Sequence, residues 1–207
     1  MEDINLYQYL AVIPPSRMVN SDVTNMKDWF MTTKGWNAPN HSKPHFTVCR
    51  FIQPLSNEAR ISKKLRELSE TVKPFVISLS DFGSFQNKTS TIYLRVENEE
   101  QFSRIPQYLQ IHLRPMLTLV KGYSPNFIRK GHLTIARQIP ENEFNRVWPY
   151  WKNMRYHAES DANRIVFLRK RLSTTRGTAR PDVNRYEVVG DYPFLGKGIS
   201  DAQLKLF

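Results

Sequence analysis

The sequence predicts an α+β fold in two pseudo-symmetric halves, and three observations carry that reading. Stretches that alternate apolar and polar residues, as strands do, are interspersed with stretches whose apolar residues recur at helical spacing. One short pattern is written twice, as His45-Phe46-Thr47-Val48 and His132-Leu133-Thr134-Ile135, 87 positions apart. Duplicated halves of about 90 to 100 residues would give that separation. A rough order of strand, helix, motif strand or its neighbour, helix and strands also runs through the chain twice. The halves share negligible identity otherwise, so this is pseudo-symmetry and not a repeat array. At 207 residues the chain can bury a proper core and reads as a single domain over 1–207.

Tyr7 to Ile13 is rich in strand formers and is stopped by Pro14-Pro15. From an N-cap at Ser21 or Asp22, Val23, Met26 and Phe30 recur at helical spacing until Gly35. Trp36 to Pro44 reads as a loop that delivers the chain into His45. Asn57 to Val72 carries Ala59, Ile61, Leu65, Leu68 and Val72 on one stripe and is the clearest helix. Phe75–Leu79 and Thr91–Val96 alternate like paired strands around an irregular Asp81–Ser90 segment. Ser103 to Met116 is expected to be a helix with Pro106 in its first turn, Leu109, Leu113 and Met116 inward and His112 on its surface. Tyr123 to Gly131 is a loop of turn formers and basic residues leading into His132. Asn142 to Trp151 reads as a helix ended or kinked by Pro149, Arg164 to Leu172 as a strand, and Arg185 to Val189 as strand-like.

Within each motif the His and Thr share one face of a strand, and Phe46, Val48, Leu133 and Ile135 point into a core behind them. The match extends to His-x-Thr-x-x-Arg, ending in Arg50 and Arg137. Two imidazoles with an ordinary pKa of about 6.5 can hold opposite protonation states at neutral pH and serve as base and acid without a metal. Thr47 and Thr134 hydroxyls suit the oxygens of a phosphoryl group. Strict alternation puts the fifth residue after His on the opposite face, so Arg50 is expected outside, and Arg137 reaches the site only if its strand ends or bulges.

This paired His-x-Thr pattern resembles the two-histidine phosphoesterase superfamily, which includes the bacterial 2'-5' RNA ligase and RNA 2',3'-cyclic phosphodiesterase group. The resemblance implies a bilobal fold with antiparallel sheets lining a central cleft, helices outside, and one motif from each lobe facing the cleft. It implies catalysis by His45 and His132, phosphate contacts from Thr47 and Thr134, and no cofactor. Its substrates would be 2',3'-cyclic phosphate ends of RNA or small cyclic nucleotide phosphates, opened to 2'-phosphates. A 5'-hydroxyl in place of water would make a 2'-5' linkage without ATP, because the strained ring stores the needed energy. Arg137, Phe85 and Tyr123 are the further residues expected to meet substrate. For Phe85, two readings stand, a stacking platform for a base or a hydrophobe that anchors its loop.

Composition agrees with a phosphate-bearing partner. Lys+Arg number 30 against 19 Asp+Glu, a formal charge of +11, and such a field attracts polyanions, with nucleic acid the first guess. Residues 162–180 hold six of these cations and no acid after Asp161, and read as a basic hairpin or loop for phosphate backbone contacts or simply a solvated tip. Cys49, the single cysteine, excludes an intrachain disulfide and reads as a small buried residue, although alternation would put it on the face of His45 and Thr47. His41 and His45 would suit a metal on a helix, but Pro44 argues for a loop and no metal is expected. Gly83 to Lys88-Thr89 only faintly resembles a phosphate-binding loop, lacking the second glycine, so an ATP site is unsupported. With no signal-peptide pattern and no long apolar run, the chain is expected to be a cytosolic monomer without membrane contact. The rival reading is a non-catalytic RNA-binding protein on the same fold.

Overall fold

The computed structural model describes residues 6–34, 42–172 and 185–197. Strand β1, Leu6–Ile13, buries Tyr9, Ala11 and Ile13 on one face and ends at Pro14-Pro15, where two backbone donors are missing. Helix α1, Arg17–Lys34, starts a turn before the expected Ser21 or Asp22. The buried stripe of Val23 and Phe30 in fact begins at Val19, and the Ser16 carbonyl already accepts from the Asn20 amide at 2.8 Å. Strand β2, Phe46–Pro54, follows, then a short turn at Leu55–Asn57 and helix α2, Glu58–Thr71. Ile61, Leu65 and Leu68 are buried as the periodicity predicts, while Ala59 is exposed and Ser69 takes a buried place.

Strands β3, Phe75–Gln86, and β4, Ser90–Val96, form a hairpin that runs through most of the segment expected to be irregular. A register shift at Asp81, which holds φ at +52°, accounts for the broken alternation. The Asp81 carboxylate accepts from the Arg155 guanidinium at 2.7 Å and the Tyr156 amide at 3.1 Å, fixing that kink. Helix α3, Glu99–Leu113, starts before Ser103, so Pro106 lies in its interior and not in its first turn. The start is set by Asn98, whose side chain accepts from the Ser78 amide at 3.0 Å and donates to the Val76 carbonyl at 2.7 Å. Met116 falls in a separate turn, Arg114–Met116.

Strands β5, Asn126–Phe127, and β6, His132–Ile139, precede helix α4, Glu141–Trp151, whose Pro149 stands in the last turn. Strand β7, His157–Ala162, is polar in sequence and was not expected. Strand β8 is Arg164–Arg171, and β9 is Glu187–Pro193, a little later than the strand expected over Arg185 to Val189. Gly35 to His41 and the 173–180 part of the basic stretch lie outside the described residues.

Where two sheets were expected, the described strands form one antiparallel nine-stranded sheet ordered β7-β3-β4-β6-β2-β1-β8-β9, with β5 beside β2. The two motif strands meet at its middle through one residue pair, Phe46 and Leu133. All four described helices contribute to one apolar core, which takes Phe46, Val48, Leu133 and Ile135 from the motif strands. Helix α1, which connects β1 to β2, crosses the seam to pack on β6 and β7, and α3, which connects β4 to β6, packs on β2 and β5. Each half therefore places its helix beneath the other half's motif strand. With so short a run of backbone pairing at the seam, burial of these crossing helices is what holds it. No described helix is long and apolar enough to cross a membrane.

Candidate active site

Both motifs lie on the sheet face opposite the helices. In β2, Phe46 and Val48 are wholly buried while His45 and Thr47 are half-buried on the other side, and β6 repeats this with Leu133 and Ile135 against His132 and Thr134. Phe46 pairs with Leu133 in antiparallel register. Continuing that register by one residue sets His45 opposite Thr134 and Thr47 opposite His132. The two histidines then stand at diagonal positions, where backbones are roughly 7–8 Å apart.

The same bulge follows each threonine. Thr47 pairs with Val12 and Cys49 with Ala11, leaving Val48 extra, while Thr134 pairs with Tyr93 and Ala136 with Ile92, leaving Ile135 extra. An extra residue reverses the alternation. Cys49 and Ala136 consequently turn inward and are fully buried, and Arg50 and Arg137 come round to the face of the histidines. This overturns the expectation of Arg50 outside, while Cys49 is the small buried residue expected, turned off the face that strict alternation would have given it. Burial pushes the Cys49 thiol up to about 12, which makes it inert as a nucleophile at neutral pH.

Each imidazole is oriented by its own chain. His45 Nδ1 lies 2.7 Å from the Lys43 carbonyl oxygen and His132 Nδ1 lies 3.0 Å from the Lys130 carbonyl oxygen. A carbonyl can only accept, so Nδ1–H donates in both, and Nε2 is left for chemistry. The supporting residue sits two positions before the histidine both times. The signal was present in the sequence, where Lys43-Pro44-His45 and Lys130-Gly131-His132 extend the repeated pattern backward. Burial holds both imidazoles below the ordinary histidine range. The charges of Lys27, Arg137 and His132 add to this at His45, and that of Lys130 at His132.

Phe85 lies within β3, not in a loop, with its ring edge-on to His132 at 5.1 Å between centroids and stacked on Tyr93 at 4.3 Å. Tyr93 is itself 5.4 Å from His132. Gly83 makes room for this wall, because a Cβ there would come within 2.6 Å of the Tyr93 ring. Tyr123 is 52% exposed in a turn closed by the Val120 carbonyl, and no described contact joins it to either histidine. Arg137 acts on His45, Lys27 and Tyr186 through its charge.

Three participants escaped the sequence reading. Tyr93 was legible only as one of several alternating strand residues. Tyr186 donates to Gln8 Oε1 at 2.9 Å, and burial raises its pKa while the charges of Arg50 and Arg137 pull it down. Lys27 occupies the buried stripe of α1 between Val23 and Phe30, where helical spacing alone could have marked it. Among the described residues, no group of three His, Cys, Asp or Glu stands together as a metal would need. Thr47, Arg50, Thr134 and Arg137 share this sheet face with the two imidazoles.

The family model described as the 2'-5' RNA ligase superfamily matches residues 15–174. Two curated relatives bear the name "Putative phosphoesterase". One, from Geobacillus kaustophilus, is 29% identical over 60% of this chain and 69% of its own, and one from Bacillus licheniformis is 27% identical over 53% and 62%. Among solved structures, TT0787 of Thermus thermophilus superposes with a TM-score of 0.67 at 15% identity, covering 92% of this chain and all of that one. LigT of E. coli, crystallised with 3'-AMP, gives 0.56 at 11% identity over 91% and 98%.

Proposed function

Because the chain belongs to the 2'-5' RNA ligase superfamily, we propose that it is a phosphoesterase that opens 2',3'-cyclic phosphate ends of RNA, or small cyclic nucleotide phosphates, through His45 and His132. The observation that carries this reading is the twin support of the imidazoles, each tied at Nδ1 to a carbonyl two residues before it, which leaves Nε2 for proton transfer. The names of the curated relatives and the 3'-AMP held by E. coli LigT point the same way.

One imidazole takes the proton of the attacking water and the other gives a proton to the departing ribose oxygen, leaving a 2'-phosphate. Thr47, Thr134 and Arg137 hold the non-bridging oxygens as charge gathers on them. Phe85 and Tyr93 offer a flat apolar surface beside His132 on which a base can stack. With a 5'-hydroxyl replacing water, the same site joins RNA ends through a 2'-5' linkage and draws on ring strain, not on ATP. The excess of cations concentrates such anions near the face.

The test is to incubate purified protein with the four nucleoside 2',3'-cyclic phosphates and short oligonucleotides carrying that end, in excess chelator. Turnover to 2'-phosphates is expected. Loss of activity on chelation contradicts the metal-free mechanism, and no turnover with any substrate favours an RNA-binding protein without catalysis.

A pH dependence follows from the depressed histidines. Free enzyme needs one imidazole charged and one neutral, and both titrate below the ordinary value. The kcat/KM profile is therefore expected to peak on the acid side of about pH 6.5 and to fall as pH rises. Bound phosphodiester anion stabilises an imidazolium, so the kcat profile should extend to higher pH. A kcat/KM optimum above neutrality contradicts this.

A further inference from the structure

The two halves line the face of the motifs differently. Beside His132 stand the rings of Phe85 and Tyr93. Beyond Thr47 the face is set by register, because paired residues of a sheet share a face and alternate residues return to it. Along β1, Thr47 stands level with Val12, Arg50 with Leu10 and Lys170 with Gln8. These positions of β1 look away from the core, whose side of the strand carries Tyr9, Ala11 and Ile13. Each level is two residues of strand from the last, about 7 Å, a step on the scale of one nucleotide of an extended single strand. At the third level the Tyr186 hydroxyl donates to Gln8 Oε1 at 2.9 Å, and Lys170 Nζ stands over the ring at 6.0 Å from its centroid. The bond to Gln8 holds in place a ring that is 36% exposed. Arg50 is exposed and Lys170 half-buried, and among the described residues neither makes an ion pair. The other way out is less suited to phosphate, since the hollow beyond Tyr93 holds Arg95 and Lys130 together with the carboxylates of Glu97 and Glu99.

We propose that the site takes the end of an RNA strand in preference to a mononucleotide, and that Arg50, Lys170 and Tyr186 bind the nucleotide that precedes the terminal one. The inference rests on the phosphoesterase reading above and narrows its substrate. With the terminal phosphate between the motifs and the terminal base against Phe85 and Tyr93, the strand leaves the terminal ribose through its 5' oxygen and runs over β2, β1 and β8. Arg50 and Lys170 hold the phosphodiester that joins the two nucleotides, and the Tyr186 ring stacks on the preceding base. Phosphate contacts and stacking are available to every sequence, so the preference is for length and not for a particular neighbouring base.

The readout is a ratio taken within each protein. It divides kcat/KM for a trinucleotide ending in a 2',3'-cyclic phosphate by kcat/KM for the nucleoside 2',3'-cyclic phosphate of the same terminal base, so a loss common to both substrates cancels. Wild type is expected to favour the trinucleotide by about tenfold or more, chiefly through KM. Lys170→Ala, Arg50→Gln and Tyr186→Ala should each cut that ratio by about threefold to tenfold, and Lys170→Arg should keep it. Lys170→Ala should also lower the slope of log affinity for the trinucleotide against log salt by about 0.7, the loss of one phosphate contact. Lys63→Ala, which takes the same charge from the exposed side of α2 behind the sheet, should leave the ratio at its wild-type value. A wild-type ratio near one overturns the proposal, and so does an equal fall in Lys63→Ala, which would mean that overall charge and not this track draws the strand. Fluorescence anisotropy of a labelled trinucleotide ending in a 2'-phosphate reads the same contacts without turnover. Wild type inactive on both substrates, with binding still weakened by Lys170→Ala and Tyr186→Ala but not by Lys63→Ala, would overturn the phosphoesterase reading and support the track. Binding that Lys170→Ala and Tyr186→Ala leave unmoved overturns the track whatever the activity.

Discussion

His45→Ala and His132→Ala are each expected to lower kcat for a nucleoside 2',3'-cyclic phosphate by about 10²- to 10⁴-fold, with the double variant little worse than the weaker single one. The reason is that the two imidazoles work on one displacement. Once either proton transfer is lost, the other histidine has less to accelerate. Each side chain is half-buried at the strand entry and, among the described residues, hydrogen-bonds a nearby carbonyl and lies off the buried face, so the sheet keeps its core when either is removed. Steady-state kinetics beside a denaturation curve separate the two effects. A single alanine variant retaining more than about a tenth of wild-type kcat contradicts paired acid–base action.

The largest stability effect is expected at the residue between the first histidine and threonine. Phe46 is wholly buried, its ring lies 6.3 Å from that of Phe102 on α3, and its backbone makes the described pairing of β2 with β6. Phe46→Ala removes a large side chain where the crossing helix meets the seam, at a cost of about 3–5 kcal/mol. Against a total stability of about 5–15 kcal/mol, that is a shift readily read in the midpoint of urea unfolding. Activity should fall as well, since Phe46 and Leu133, each set between the histidine and threonine of its motif, make the described pairing at the seam. A cost below about 1 kcal/mol would show that the halves are held by something other than this contact.

The motifs were legible because strand alternation is local, so His45, Thr47, His132 and Thr134 could be assigned to one face from their spacing alone. What failed was wherever one extra residue reversed the count. Val48, Ile135 and Asp81 each mark a register shift, and these moved Cys49 inward, brought Arg50 round to the site and carried β3 through a stretch that looked irregular. A bulge is a property of two strands, and the partner strand cannot be read from the bulged one. Helix starts failed for a related reason. Asn98 begins α3 by clasping β3, a tertiary contact, so Pro106 is carried inside a helix that local rules would have started later. Strand β7 has few apolar residues to announce it and is defined by pairing with β3. Lys27 was passed over because lysines on helices ordinarily face water, although its place on the stripe of Val19 and Val23 was in view.

A crystal structure with a nucleoside 2'-monophosphate, the expected product, tests the central claim most directly. The phosphate should lie on the sheet face between the motifs, with Nε2 of His45 and Nε2 of His132 each within about 2.6–3.2 Å of a phosphate oxygen, on opposite sides of phosphorus. A nucleotide seated elsewhere, or a phosphate touched by one imidazole with the other turned away, would contradict it.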